Sequence, residues 1–250
     1  MNVYRLIADI SHLLALVILV VKILITGSVS GLSGKTQVFY ALVFTTRYLD
    51  MFTVFISYYN TIMKCAFLYF TYLTVWLIYY KLRDSYDDKN DSHWTLLLLI
   101  PIALFSCLIE INNRFYFLEV MWTFSIYLEA VTMIPQTIML YRTGECKTIT
   151  MHYIFVLGLY RAFYLANWAV MYYNQEFFDP IAVSGGILQT VLYIPFFYLY
   201  FTKARKGSTY RLKGCRDYNE VKQSDPHEVK SVSGKVEDAI DSRVDVVVNI

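Results

Sequence analysis

The sequence predicts an all-α membrane protein with seven transmembrane helices. Three observations carry that prediction. Hydrophobic residues make up 57% of the 250 positions and charged residues only 17%, a balance unlike that of soluble domains. Apolar runs close to the ~20 residues that cross a hydrocarbon core recur from Tyr4 to Thr202. The runs are continuous rather than ten-residue alternations, so they read as helices and not as barrel strands.

Taken in order, the spans are expected at 4–25, 37–57, 61–80, 95–112, 117–140, 150–173 and 180–202. The first resembles a signal peptide in length, with Ser28-Val29-Ser30 as a small-residue cleavage site. Asp9, His12 and Lys22 interrupt it and six further spans follow, so it is expected to remain as a helix. The connections after spans one, three and five carry Lys35; Lys81, Arg83 and Lys89; and Arg142 and Lys147. The opposite connections offer little beyond Arg114. By the positive-inside rule the N-terminus is lumenal or external and the C-terminus cytosolic. Asn90-Asp91-Ser92 is a glycosylation sequon in a loop placed in the cytosol, so it should stay unmodified. Tyrosines crowding span ends, such as Tyr79-Tyr80 and Tyr172-Tyr173, read as interface anchors.

Residues 1–206 form the membrane domain in this reading. From 207 to 250 the chain turns polar and charged, which predicts a disordered cytosolic tail. Cysteines 65, 107, 146 and 215 are scattered, without CxxC or a histidine cluster, which points neither to a disulfide framework nor to a metal site. No basic face suits a nucleic acid. No activated nucleophile, zinc-ligand spacing or phosphate loop suggests an enzyme or a cofactor.

The informative residues are the charges inside the apolar runs. Span one holds Arg5, Asp9 and His12, and span two holds Arg47 and Asp50. Span three holds Lys64, span five Glu119 and Glu129, and span six Arg161. A charge at bilayer depth costs a few kcal/mol, roughly 2.5–3.5 on lenient scales, so it normally faces a partner or a wet cavity. Glu119 near a helix end is equally an interfacial residue. Glu129 lies about 15 Å deeper along the axis, where the functional reading is stronger. Arg47 and Asp50, three apart, should be neighbours on one helix surface. Tyr160, Tyr164 and Trp168 form a stripe beside Arg161, which reads as the wall of a polar cavity.

Arginine forks suit carboxylates. Glu119 with Trp122 or Trp168 suits a cation. Together they fit a short peptide with an ammonium at one end and several carboxylates at the other. His12 is the side chain whose charge changes between mild acid and neutrality.

Several long stretches carry a family resemblance: MNVYRLIADISHLLA, SGKTQVFYALVFTTRYLD, TVWLIYYKLR, LEVMWTFSIYLEAVTMIPQ, YRAFYLANW and FFYLYFTKARKG. In them the chain resembles the KDEL receptors, the ER lumen protein-retaining receptors, over residues 1–206. The resemblance implies a seven-helix fold similar to SWEET and PQ-loop transporters, two three-helix repeats joined by a linker helix. Pro135-Gln136 fits that pattern. It also implies capture of escaped soluble ER proteins in the mildly acidic Golgi by their C-terminal KDEL or HDEL-type signals. Release would follow at near-neutral pH in the ER, after return in COPI-coated vesicles. The protein would then be a multi-pass component of ER, intermediate compartment and cis-Golgi membranes.

Residue by residue, the resemblance implies that Arg47 holds the signal's terminal carboxylate and Arg5 an acidic side chain. Glu119, Trp122 and Trp168 would face the lysine or histidine that opens the signal. Tyr48, Asp50 and Tyr164 would line the cavity. Glu129, Tyr160 and Arg161 would form an interior lock with His12 as proton sensor, and Lys203 and Lys206 the coat-recognition signal. Two departures stand out. The position where the family usually has an arginine is Met171, which predicts a variant signal with less weight on its aspartate. The tail is longer than the family's, and Cys215 in it is either free or palmitoylated. A small-solute transporter on the same fold is the alternative, though its cavity should be neutral rather than rich in arginine and carboxylate. A G-protein-coupled receptor is disfavoured by short loops without a paired extracellular cysteine bridge.

Overall fold

The computed structural model describes residues 3–53, 55–91, 95–110, 117–143, 145–146, 148–175, 178–203 and 210–211. Eight α-helices follow in order: α1 Val3–Thr26, α2 Gly34–Arg47, α3 Tyr58–Trp76, α4 Thr95–Glu110, α5 Phe117–Val131, α6 Ile134–Thr143, α7 Thr148–Gln175 and α8 Pro180–Lys203. Two two-residue strand segments, Glu145–Cys146 and Tyr210–Arg211, are the only extended elements among the described residues. The chain divides into a unit of residues 1–210 and one of residues 211–250, and only Arg211 of the second is described. Apart from Tyr210–Arg211, the predicted tail lies outside the described residues.

Four segments are long and apolar enough to cross a membrane: Val3–Thr26, Tyr58–Lys81, Phe117–Leu140 and His152–Asn174. Leu97–Glu110 and Pro180–Ile194 are shorter apolar helices. The result is an all-helical, multi-pass architecture. Buried Ala8, His12, Ala15, Leu16, Leu19 and Ile23 recur at helical spacing and form one face of α1. That face packs on α7 and α3, and exposed Ile10, Leu14, Val21 and Leu24 lie elsewhere on the helix. Helix α3 touches both α1 and α2, and α8 touches both α5 and α7. Helices α2 and α5 also pack together, while α4 packs on α5.

Two spans depart from the expected boundaries. The second stops at Arg47, and Leu49–Phe52 form a 3-10 turn before α3 begins at Tyr58. Ser57 then opens α3 by accepting the Asn60 amide at 3.2 Å. The fifth span breaks at Thr132-Met133 into α5 and α6. Pro135 is the cause: it has no N–H for the Val131 carbonyl, and its ring would clash there.

At the loop end of this break, Gln136 ties three segments together. Its Oε1 accepts the Ser33 amide at 2.8 Å, its amide donates to Thr36 Oγ1 at 3.1 Å, and its Nε2 donates to the Gly31 carbonyl at 3.1 Å. Asp91, fully buried, accepts from Ser33 Oγ at 2.7 Å, from the Lys35 amide at 3.1 Å and from Tyr86 Oη at 2.6 Å. Burial, and after it the bond to Asp91, raises the Tyr86 phenol well above its ordinary pKa, so it stays a donor. This network caps α2 and joins its N-terminus to the loop after α3 and to the first turn of α6.

Candidate ligand-binding cavity

Beyond this network, α1, α2, α3, α5, α7 and α8 enclose a cavity of about 390 Å³. Arg5, Arg47, Lys64 and Arg161 line it, with Asp9, Asp50 and Asp179. Arg5 and His12, two turns apart on α1, both reach it, as do Tyr160, Tyr164 and Trp168 on α7. Tyr48 and Trp122 also stand on its wall. Glu119 is exposed and is not among the lining residues. The side chain of Lys203, in the last turn of α8, and the whole of Lys206 lie outside the described residues.

The floor is built on Glu129, which is fully buried. Its Oε2 lies 2.5 Å from Arg47 Nη1 and 3.3 Å from Arg161 Nη2. Its Oε1 accepts the Tyr160 hydroxyl. Arg47 is further held through Nε by Ser125 Oγ and through Nη2 by the Ser125 carbonyl, each at 3.1 Å. Ser125 Oγ in turn donates to the Trp122 carbonyl at 2.6 Å. Two guanidiniums thus share one carboxylate, and a unit of positive charge is left over at the floor among the described groups. Burying such charge is unfavourable unless an anion arrives or water reaches it.

The walls pair their charges differently. Asp9 accepts hydroxyls from Tyr164 and, at 3.1 Å, from Tyr59. Lys64 Nζ lies 2.8 Å from both oxygens of Asp50. This corrects the expected Arg47–Asp50 neighbourhood: α2 ends between them, the three-residue helical spacing is lost, and each finds a partner on another element. His12 is buried, stacked on Tyr160 with ring centres 3.9 Å apart and flanked by Phe44 and Phe67. Its Nε2 has no hydrogen-bond partner among the described residues. Arg161 sits 5.8 Å from the ring centres of both Tyr160 and Trp168.

Sequence reading missed Asn167 and Asp179 on the wall, and Ser125 and Gln189 in the network behind it. Ser125, Asn167 and Gln189 are neutral and carry no desolvation signal that would single them out in an apolar run. Asp179 was masked by its place outside the spans. It opens α8 by accepting the amides of Ile181 and Ala182 at 3.1 Å each, just before Pro180 sets the first helical residue.

A family model described as ER lumen protein retaining receptor matches residues 28–171. ER lumen protein-retaining receptor 3 of Xenopus laevis is 55% identical over 207 residues, covering 83% of this chain and 96% of the relative. Receptor 2 of Homo sapiens is 54% identical over 207 residues, with 83% and 97% covered. Receptor 3 of Mus musculus is 52% identical over the same length, with 83% and 96% covered.

Proposed function

The chain belongs to the ER lumen protein retaining receptor family, and we propose from this that it binds C-terminal KDEL or HDEL-type signals and returns escaped soluble proteins to the ER. Family membership supports the class of ligand. The observation that carries the site is the surplus of positive charge where Arg47 and Arg161 share Glu129. A peptide's terminal carboxylate supplies the missing anion, and Arg47, which lines the cavity, offers it a planar fork. Arg5 serves an acidic side chain of the signal, and Trp122 and Trp168 serve its opening cation, with Glu119 nearby. Tyr48, Asp50 and Tyr164 shape the wall. The small-solute transporter reading has no support, because the matched model and relatives are named as receptors.

His12 is the proton sensor in this reading. Its unpartnered Nε2 would carry the added proton, and it stacks on the ring whose hydroxyl holds Glu129. Protonation places a cation beside a network that already has surplus positive charge, so the site's demand for an anion rises. Affinity therefore increases as pH falls and weakens toward neutrality, and bound signal reciprocally favours the protonated state. Glu129, Tyr160 and Arg161 form the lock beneath. The packing of α3 with α1 and α2 and of α8 with α5 and α7 supports two three-helix repeats with α4 as linker. Exchanging the repeats carries the α1–α7 packing onto α5–α2. COPI recognition of Lys203 and Lys206 on the cytosolic side, and cycling through ER, intermediate-compartment and cis-Golgi membranes, complete the proposal.

The test is binding of peptides ending in KDEL, in HDEL and in a non-acidic control, at about pH 5.5 and 7.4 to bracket the histidine transition. Acid-favoured, signal-selective binding is expected, and its absence at both values would overturn the reading. His12→Ala should flatten the ratio of the two affinities. Arg47→Ala should cost about 2–5 kcal/mol of peptide binding, read by calorimetric titration.

A further inference from the structure

Gln189 on α8 is fully buried and does not line the cavity. Its Oε1 accepts from Arg161 Nε at 2.5 Å, and its Nε2 donates to the Tyr160 hydroxyl oxygen at 3.0 Å. The orientation of the amide is settled by chemistry. A guanidinium can only donate, so the oxygen must face Arg161 and the NH2 must face the tyrosine. Tyr160 then spends its own proton on Glu129. Gln189 is the α8 side chain that bonds directly to Arg161 and Tyr160.

The rest of α8 is seated on other ground. A Cβ at Gly185 would lie 2.5 Å from Ile126 Cγ2, and one at Gly186 would lie 2.7 Å from Trp168 Cζ3, so this part of the helix is set closely against α5 and α7. One turn past Gln189, Tyr193 meets Tyr40 of α2 through their hydroxyls at 3.1 Å. The helix ends at Lys203, about 21 Å beyond Gln189 at 1.5 Å per residue.

We propose that Gln189 is the positioning residue through which the state of the cavity's ionic floor reaches α8 and the end of that helix. This rests on the signal-receptor reading. When a ligand carboxylate takes Arg47, Glu129 loses its 2.5 Å partner and leans on Arg161, now 3.3 Å away. The guanidinium is a rigid plane, so turning Nη2 toward Glu129 also moves Nε against Gln189. Tyr160, bonded to both Glu129 and Gln189, shifts with it. Both bonds of one α8 side chain therefore change together, and α8 adjusts.

The experiment uses the full chain, with a KDEL-terminated peptide titrated in detergent and a KDEL-terminated soluble cargo overexpressed in cells. The two readouts are peptide affinity and cargo-induced redistribution of the receptor from Golgi to ER. Gln189→Met removes both bonds with little change in size. It should bind peptide within about threefold of the wild type while losing most of the redistribution. Gln189→Glu restores an acceptor for Arg161 but cancels the surplus charge of the floor, so it should weaken peptide binding and, at saturating cargo, recover redistribution. The proposal is overturned if Gln189→Met redistributes normally, if it loses affinity and redistribution in proportion, or if Gln189→Glu at saturating cargo fails to redistribute as Gln189→Met does. A Gln189→Met chain that is not monodisperse leaves Gln189→Glu to decide, with loss of redistribution at saturating cargo counting against Arg161 as the link. Failure of the wild type to bind peptide would instead sink the receptor reading, and this inference with it.

Discussion

At the scale of single residues, the cost of isolated charge in hydrocarbon made the floor of the cavity legible. Arg47, Glu129 and Arg161 are conspicuous in apolar runs, and they meet in one network. Removing the carboxylate that the two arginines share should be severe. Glu129→Gln leaves two guanidiniums facing each other, at an expected loss of about 3–5 kcal/mol, measured as a lowered unfolding temperature in detergent. Asp50→Asn is the contrast. The Asp50 side chain is 37% exposed, although its partner Lys64 is buried, so its loss should cost less than that of fully buried Glu129. A Glu129→Gln protein as stable as Asp50→Asn would mean that water, not the carboxylate, compensates the arginines. The neutral partners Ser125 and Gln189 could not be found in the same way. An amide in an apolar run looks like any tolerated polar residue until its neighbours are known.

At the scale of elements, helix lengths were read well where the apolar run and the helix coincide, as in α1. They were misread where a local backbone constraint cuts across a run. Pro135 divides span five, yet hydropathy passes over it because proline is not strongly polar. Span two ends at Arg47 because Tyr48 to Phe52 leave the helical path, which puts Asp50 within reach of Lys64. The loop network is an element-scale device as well. Asp91→Ala strips an acceptor from three donors, Ser33, Tyr86 and the Lys35 amide, with about 1–3 kcal/mol at stake for each donor left unsatisfied. A drop in unfolding temperature larger than that of an exposed control such as Asp88→Ala is expected. On α8, Gly186→Val should destabilise by about 1–3 kcal/mol, because the added carbons meet the Trp168 ring and Leu165.

For the whole molecule, charge asymmetry between loops carries the orientation, and the sequon tests it. Asn90 donates through Nδ2 to Asp87 at 2.5 Å and adjoins fully buried Asp91. Glycosidase treatment of protein made in eukaryotic cells should leave its gel mobility unchanged. A shift removed by Asn90→Gln would invert the proposed topology and move the cavity to the wrong side for lumenal signals.

The sequence by itself determined that this chain is a multi-pass helical protein with ionisable groups inside its apolar runs, and its long motifs pointed to the receptor family. Those properties reside in composition, run length and the free-energy cost of buried charge, all of which are local. Only the tertiary structure decided which charges meet: that Glu129 serves two arginines, that Asp50 serves Lys64 rather than Arg47, and that Asp9 is held by two tyrosines. Pairing of this kind depends on which helices are neighbours and where each one stops, and neither is encoded in the spacing along a single span.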